Sequence, residues 1–192
     1  AGLGASIGLA AGFFRNRIDD VLMRICDVMM SFPSEVMILA IVGMMGPGLE
    51  NVVIANVAAK WPWYARMIRS IVRQHSDKDY IRFAKVAGGS SIRIMMRHLL
   101  PGTAGELFVL TTLDTGSVIL MISALSFLGL GVQPPTPEWG MMLNEAKEVM
   151  TMYPLQMIPA GMAILLVVAA FNFLGDSLRD ALDPKYVGRE RS

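Results

Sequence analysis

Apolar residues run through this chain in long stretches separated by short charged segments. Five stretches stand out, at residues 1–14, 28–46, 49–66, 103–128 and 155–175, and a helix needs about 20 mostly apolar residues to cross the hydrocarbon of a bilayer. The last stretch holds no charged side chain and meets that requirement best. The first holds 14 residues and is read as the tail of a helix that begins upstream of Ala1. Between the third and fourth stretches the pattern changes. Tyr80, Phe83, Ala84 and Ala87 recur at i, i+3, i+4 and i+7, which predicts one face of an amphipathic helix, with Arg82 and Lys85 pointing elsewhere. Gly88 and Gly89 are expected to end it. Ser90 is placed to cap a second helix whose stripe is Ile92, Met95, Met96 and Leu99, with Arg93 and Arg97 opposite and Pro101 closing it. By itself such a pair suits a headgroup surface as well as a protein partner.

Pro33 interrupts the second stretch, Lys60 and Pro62 the third, and Gly46-Pro47-Gly48 leaves room only for a tight turn, so a helical hairpin with irregular arms is predicted. Broken helices are tolerated at membrane depth where neighbouring helices or a watery cavity satisfy the freed backbone groups, which favours a transport path over an anchor. Gly4, Gly8 and Gly12 recur every four residues and predict a face for close helix packing. They also create a formal GxSxG match around Ser6. Inside an apolar helix, with no strand before it and no histidine in any spanning stretch, that match reads as packing.

Composition agrees with a bilayer: 54% of residues are hydrophobic, 17% are charged and the mean hydropathy is +0.50. Basic residues then orient the chain, because short loops rich in Lys and Arg stay in the cytoplasm. Segments 15–27, 67–102 and 176–192 carry three, seven and four of them, whereas 47–48 and 129–154 carry none and one. The expected topology has five crossings, residue 1 outside, Ser192 inside, a cytoplasmic loop at 67–102 and an extracytoplasmic loop at 129–154, all in a single transmembrane domain over residues 1–192. The arginines are thus topological. The net charge of +1 gives no reason to expect nucleic acid as a partner.

Candidate chemistry is sparse. There is no GxxxxGK[ST] phosphate loop, HExxH or CxxC, so no catalytic residue, cofactor or metal ligand is assigned. The lone Cys26 excludes an internal disulfide and reads as a small hydrophobe, and the 16 methionines read as packing residues in apolar runs. His75 and His98, beside Arg73 and Arg97, read as polar-face or interface residues. One acid is out of place: Asp114 lies about eleven residues into the fourth stretch, flanked by Thr111 and Thr115. A carboxylate there costs roughly 2.5–3.5 kcal/mol even on the lenient insertion scale. It either lines a cavity or is held by neighbouring hydroxyls for packing; both readings stay open.

From Ala11 onward the chain resembles the type C inner-membrane permease of the dipeptide, oligopeptide and nickel family of ABC importers. The resemblance is carried by AGFFRNRIDDVLMRICDVMMSFP (11–33), GPGLENVVIA (46–55), WPWYARMIRS (61–70), the amphipathic pair DYIRFAKVAGGSSIRIMMRHLLP (79–101), LSFLGLGVQPPTPEWGMML (125–143) and FNFLGDSLRDALDP (171–184). It implies an all-α polytopic bundle of the type I importer fold in a prokaryotic inner membrane, six helices in full and about five in this stretch. It also implies four partners besides the lipid bilayer: a homologous second permease, two ATP-binding subunits and an extracytoplasmic substrate-binding protein. The amphipathic pair then becomes the loop that couples to the ATPase, through Tyr80, Arg82, Phe83, Ala84, Gly88, Ile92 and Pro101. In the family that loop usually opens Glu-Ala-Ala with Gly four residues later. Here the positions hold Arg82, Phe83, Ala84 and Gly88, so a contact made through the glutamate is not carried over. WPWYARMIRS, TLDTG around Asp114 and PLQMIPAGMAILLVVAAFNFLGDSLRD (154–180) look more like the nickel branch than the peptide branch. The implied cargo is nickel, free or chelated, or a di- or oligopeptide. A non-transport membrane scaffold or a membrane enzyme is the alternative, and copurification with ATPase subunits separates the two.

Overall fold

A computed structural model of the chain describes residues 2–14 and 17–182. All regular structure among them is helical. In chain order the helices are α1 (Gly2–Phe14), α2 (Arg17–Met30), α3 (Ser34–Met45), α4 (Leu49–Ser76), α5 (Asp79–Val86), α6 (Ser91–Ile94), α7 (Leu100–Phe127), α8 (Trp139–Glu148) and α9 (Met157–Leu182). A π-turn, Met95–Leu99, joins α6 to α7, and a 3-10 turn, Pro154–Gln156, precedes α9. The chain divides into two compact units, one from residues 1–33 and 60–109, the other from 34–59 and 110–192.

In the first unit α1 lies against α4 with their directions matched. A Cβ on Gly4 would stand 2.7 Å from the Trp61 carbonyl, on Gly8 2.5 Å from the Ala65 carbonyl, and on Gly12 3.0 Å from the Arg69 carbonyl. Each step of four along α1 meets the next turn of α4, so the small-residue face expected from the sequence does bring two backbones together. Cys26 is fully buried with Ala11, Met23 and Ala65, as a small hydrophobe should be. Ser6 donates its hydroxyl to the Leu3 carbonyl at 2.9 Å, which leaves its GxSxG setting an ordinary helical turn.

The second unit centres on Ile38, Val42, Val52, Ala55, Ala59 and Leu125, drawn from α3, the start of α4 and the end of α7. The Gly46-Pro47-Gly48 turn is as tight as expected. Gly46 and Gly48 adopt φ of +90° and +145°, a region open to glycine at little cost. The Asn51 amide donates to the Met45 and Gly46 carbonyls at 3.1 and 3.0 Å, tying the turn to the first turn of α4.

Several expectations are corrected. Pro33 does interrupt the stretch 28–46 as expected, because the residue before a proline is pushed out of the helical region, but the result is two separate helices, with α2 running from Arg17 through Met30 and α3 beginning only after Pro33. Pro62 does not break the third stretch; α4 continues through it to Ser76. Pro101 does not close the second amphipathic helix either. Helix continues from Ser91 to Phe127, and the wide π-turn just before Pro101 accommodates a ring that would otherwise press on the preceding turn. Ser90 occupies the cap position but makes no side-chain cap bond. Two helices, Ser91–Phe127 and Pro154–Leu182, are long and apolar enough to cross a membrane, and a third counts if the pair on either side of residues 31–33 forms one span. That is fewer than the five stretches read from the sequence, because α1 is short and α4 carries charges along its length. The basic residues Lys185, Arg189 and Arg191 of the 176–192 segment, and Ser192 itself, lie outside the described residues.

Candidate functional site

The loop between α4 and α7 shows how an amphipathic pair can be both anchored and available. Ile81 from α5, Ile94 from α6 and Leu99 from the π-turn are buried at 2% exposure or less. The expected stripe at Tyr80, Phe83, Ala84 and Ala87 is not the face the chain covers. Phe83 is 74% exposed and Val86 87%, with Tyr80, Ile92 and Met96 exposed beside Arg82, Lys85, Arg93 and Arg97. Ala84 is half-buried, and of the second stripe only Leu99 turns fully inward. The pattern marked an amphipathic element correctly but could not say which apolar residues meet the chain itself.

Gly88 ends α5 with φ +78°, where a side chain would be strained, and its N–H reaches the Lys85 carbonyl. Gly89 is constrained by space: a Cβ there would sit 2.8 Å from the Ala84 carbonyl. The loop is fixed at its base as well. Lys85 Nζ sits 4.7 Å over the Phe13 ring at the end of α1, a cation–π contact. His75 is buried, with Nδ1 3.1 Å from the Ile71 carbonyl and Nε2 3.7 Å from Glu106 Oε1. His98 lies near Tyr80, their rings 6.5 Å apart.

Beside this loop is an ion cluster built on a buried carboxylate, which the charge count reads only as topology. Asp19, in the first turn of α2 and 2% exposed, accepts from Arg69 Nε at 2.5 Å and Nη2 at 2.7 Å, and from Arg73 Nη2 at 3.2 Å. Its hydrogen bond raises the Arg69 pKa, against the opposing effect of burial. Arg66 pairs with Asp27 one end further along, so α2 runs antiparallel to the last turns of α4. The sequence did carry a signal: Arg66, Arg69 and Arg73 lie on one helix face, and an acidic helix start, Asp19-Asp20, precedes them.

In the second unit the 129–154 segment is more ordered than an extended loop. Gly129 turns the chain at φ +78°, Val132 N–H donates to Ser126 Oγ at 3.0 Å, and the Asn144 amide donates to the Phe127 carbonyl. Glu138 then caps α8, accepting from Met141 N–H at 3.0 Å and from Ser123 Oγ at 2.8 Å. A Cβ on Gly140 would be only 2.0 Å from the Ser123 carbonyl, so the PPTPEWG segment is seated directly on α7. Between them lies a hollow of about 420 Å³ lined by Ile119, Ile122, Ser123, Pro137, Glu138, Trp139 and Met142. Glutamate is not among the favoured capping residues, which is why this role was not legible.

Asp114 is half-buried on α7. Thr115 does not spend its hydroxyl on it, donating instead to the Thr111 carbonyl at 2.8 Å. α7 and α9 pack together at Gly116 and Gly175, where Cβ atoms would meet Asn172 and Val168 at 3.5 Å and Leu113 at 2.5 Å. No group of three or more His, Cys, Asp or Glu among the described residues could hold a metal ion.

Described residues whose regular structure is all helical, with two apolar helices of bilayer length, an amphipathic pair leading into the first and a proline-rich segment between them, define a polytopic membrane protein. It belongs to the family of binding-protein-dependent transport system inner membrane components, which matches residues 4–188. The metal-staphylopine import system permease protein of Staphylococcus aureus is 44% identical over 174 residues, 91% of this chain and 60% of that protein. The nickel transport system permease protein of Escherichia coli is 42% identical over 185 residues, 96% of this chain and 67% of that protein. A glutathione transport system permease protein of Pectobacterium atrosepticum is 44% identical over 183 residues, 95% of this chain and 61% of that protein. The chain thus spans about 60% of the length of the staphylococcal relative.

Proposed function

We propose that this chain forms the larger part of a permease subunit of an ATP-binding-cassette importer, contributing half of a transmembrane path whose energy comes from separate ATPase subunits. What carries this reading is the outward apolar face of the 79–99 loop. Exposed Phe83, Val86, Ile92 and Met96 sit on a scaffold pinned by Ile81, Ile94 and Leu99, a combination that suits docking of a rigid partner. The coupling set is Tyr80, Arg82, Phe83, Ala84, Gly88 and Ile92. Pro101, in the first turn of α7 just after the π-turn, completes the proposed set. With Arg82 where the family carries glutamate, an acidic or carbonyl group on the ATPase would complete the contact.

The partners under this reading are a homologous second permease, two ATP-binding subunits and an extracytoplasmic binding protein, in the five-crossing orientation with a cytoplasmic C-terminus. Relatives named for nickel, metal-staphylopine and glutathione support a cargo of nickel, free or chelated, or a di- or oligopeptide. Asp114 is the candidate cavity group, with the Thr111 and Thr115 region beside it. Coexpression with candidate ATPase and binding-protein subunits, purification and reconstitution test the proposal. An importer yields a complex whose ATP hydrolysis rises with loaded binding protein. Failure of the chain to copurify with any ATPase subunit refutes the reading.

A further inference from the structure

We propose that Asp19 is a positioning residue that makes α1, α2, the end of α4 and the coupling loop move as one rigid lever. The inference rests on the importer reading above. It starts from a cost. Taking the Asp19 carboxylate out of water and covering most of the Arg69 guanidinium is expensive, and a buried ion pair seldom stabilises more than well-packed apolar residues would. What such a group supplies is fixed geometry. Arg69 grips Asp19 with both arms of its fork, at 2.5 and 2.7 Å, and Arg73 closes from one turn further on at 3.2 Å. Guanidinium–carboxylate forks set direction as well as distance, so α2 can neither slide nor turn along α4 while the cluster holds.

The neighbouring contacts extend the lock to the loop. Gly8 and Gly12 bring α1 to within backbone contact of α4 beside the same Arg69, and Phe13, one residue further, takes Lys85 of α5 on its ring. His75, two residues after Arg73, faces Glu106 at the start of α7. All of these contacts lie within one compact unit. A pull on α5 therefore reaches α1 through Phe13 and α4 through the short 77–78 connection, and Asp19 passes it to α2. Close-packed elements transmit displacement as blocks rather than by continuous deformation. Without the carboxylate, the fork from Arg69 and the bond from Arg73, both on α4, lose their anchor on α2, and the block loosens there.

The test uses the whole reconstituted importer. In the Asp19→Asn variant the complex should still assemble and hydrolyse ATP at its basal rate, while cargo moved per ATP falls about tenfold, within the range of typical coupling free energies. A purely structural role would lower assembly and both activities together. A second readout follows the lever itself. In a Cys26→Ser background, spin labels at Arg24→Cys on α2 and Asp79→Cys on α5 should keep one distance between nucleotide-free and ATP-trapped states. Asp19→Asn should broaden that distance in the ATP-trapped state.

An unchanged cargo-to-ATP ratio in Asp19→Asn, or a wild-type distance that shifts with nucleotide, overturns the proposal. If Asp19→Asn does not assemble, Arg69→Lys decides, since it keeps the charge and loses the fork. Normal coupling in Arg69→Lys also overturns the proposal. If the unmodified complex shows no ATP-driven uptake, the importer reading fails instead, and the spin-label distances still decide whether the helices form one block.

Discussion

Gly8→Ala adds a single methyl group where α1 and α4 touch, and the structure sets its consequence. The new Cβ would stand 2.5 Å from the Ala65 carbonyl oxygen, 2.9 Å from Ile68 Cβ and 3.1 Å from the Arg69 amide nitrogen. Two of the three are backbone atoms, which cannot swing aside. An ordinary carbon–oxygen contact is about 3.3 Å, so the helices must part by about 0.8 Å. A gap of that size forfeits roughly a quarter to a half of each dispersion contact across the face. With roughly 30 atom pairs at about 0.1–0.2 kcal/mol each, the loss is about 2 kcal/mol, within the range for overpacked sites. Alanine's better helix propensity offsets about 1 kcal/mol. The net is about 1 kcal/mol for Gly8→Ala and about 2–3 kcal/mol for Gly8→Val.

Gly161→Ala supplies the control. Nothing lies within 4 Å of a Cβ there, so only the propensity gain remains. The reporter is already in place: Cys26 is the sole cysteine, fully buried with Ala11 of α1 and Ala65 of α4. Its reaction with a maleimide, under conditions where opening is a rapid pre-equilibrium, counts the fraction of molecules whose helices have separated. Gly8→Ala should label about fivefold faster than wild type, and Gly161→Ala no faster. Equal rates for Gly8→Ala and wild type would show that the glycine spacing does not hold the unit together.

The other expectations concern transport. Phe83→Asp and Gly88→Val should each remove binding-protein-stimulated ATP hydrolysis while leaving membrane insertion intact. The first puts a charge on an exposed apolar contact, and the second forces a branched residue to φ +78°, a strain of about 1–3 kcal/mol; full stimulation in either variant refutes the coupling site. A cysteine at Thr136, introduced after Cys26→Ser, should react with an impermeant thiol reagent from the extracytoplasmic side, and labelling only from the cytoplasm inverts the topology. Asp114→Asn keeps the shape and removes the charge. Uptake should fall while the complex still assembles; normal uptake reduces Asp114 to a packing residue, and lost assembly makes it structural.

The class of this protein was legible because its signals are local and periodic. Long apolar stretches, glycines every four residues in α1, the Gly46-Pro47-Gly48 turn and the glycine break after α5 are each dictated by physics that acts within a few residues. So is the family resemblance, since motifs such as LSFLGLG and PPTPEWG are short and contiguous. Two of the three prolines depart from the local pattern for a related reason. Pro33 ends a helix while Pro62 and Pro101 sit inside continuous ones, because local sequence does not reveal whether neighbouring helices or a π-turn will compensate for the lost hydrogen bond.

Partner choice was left to the tertiary structure. In α5 the sequence offers Tyr80, Ile81, Phe83 and Val86 as comparable apolar residues. Which one is buried depends on where α6 and the π-turn place Ile94 and Leu99, and packing selected Ile81 while leaving Phe83 and Val86 exposed. Asp19 and Arg69 are fifty positions apart, and Ser123 and Glu138 are fifteen. Each side chain alone reads as a surface charge, a topological arginine or an ordinary helical serine. Only the folded chain brings them within hydrogen-bond reach, since the free energy of burying a charge depends on the partner that meets it there.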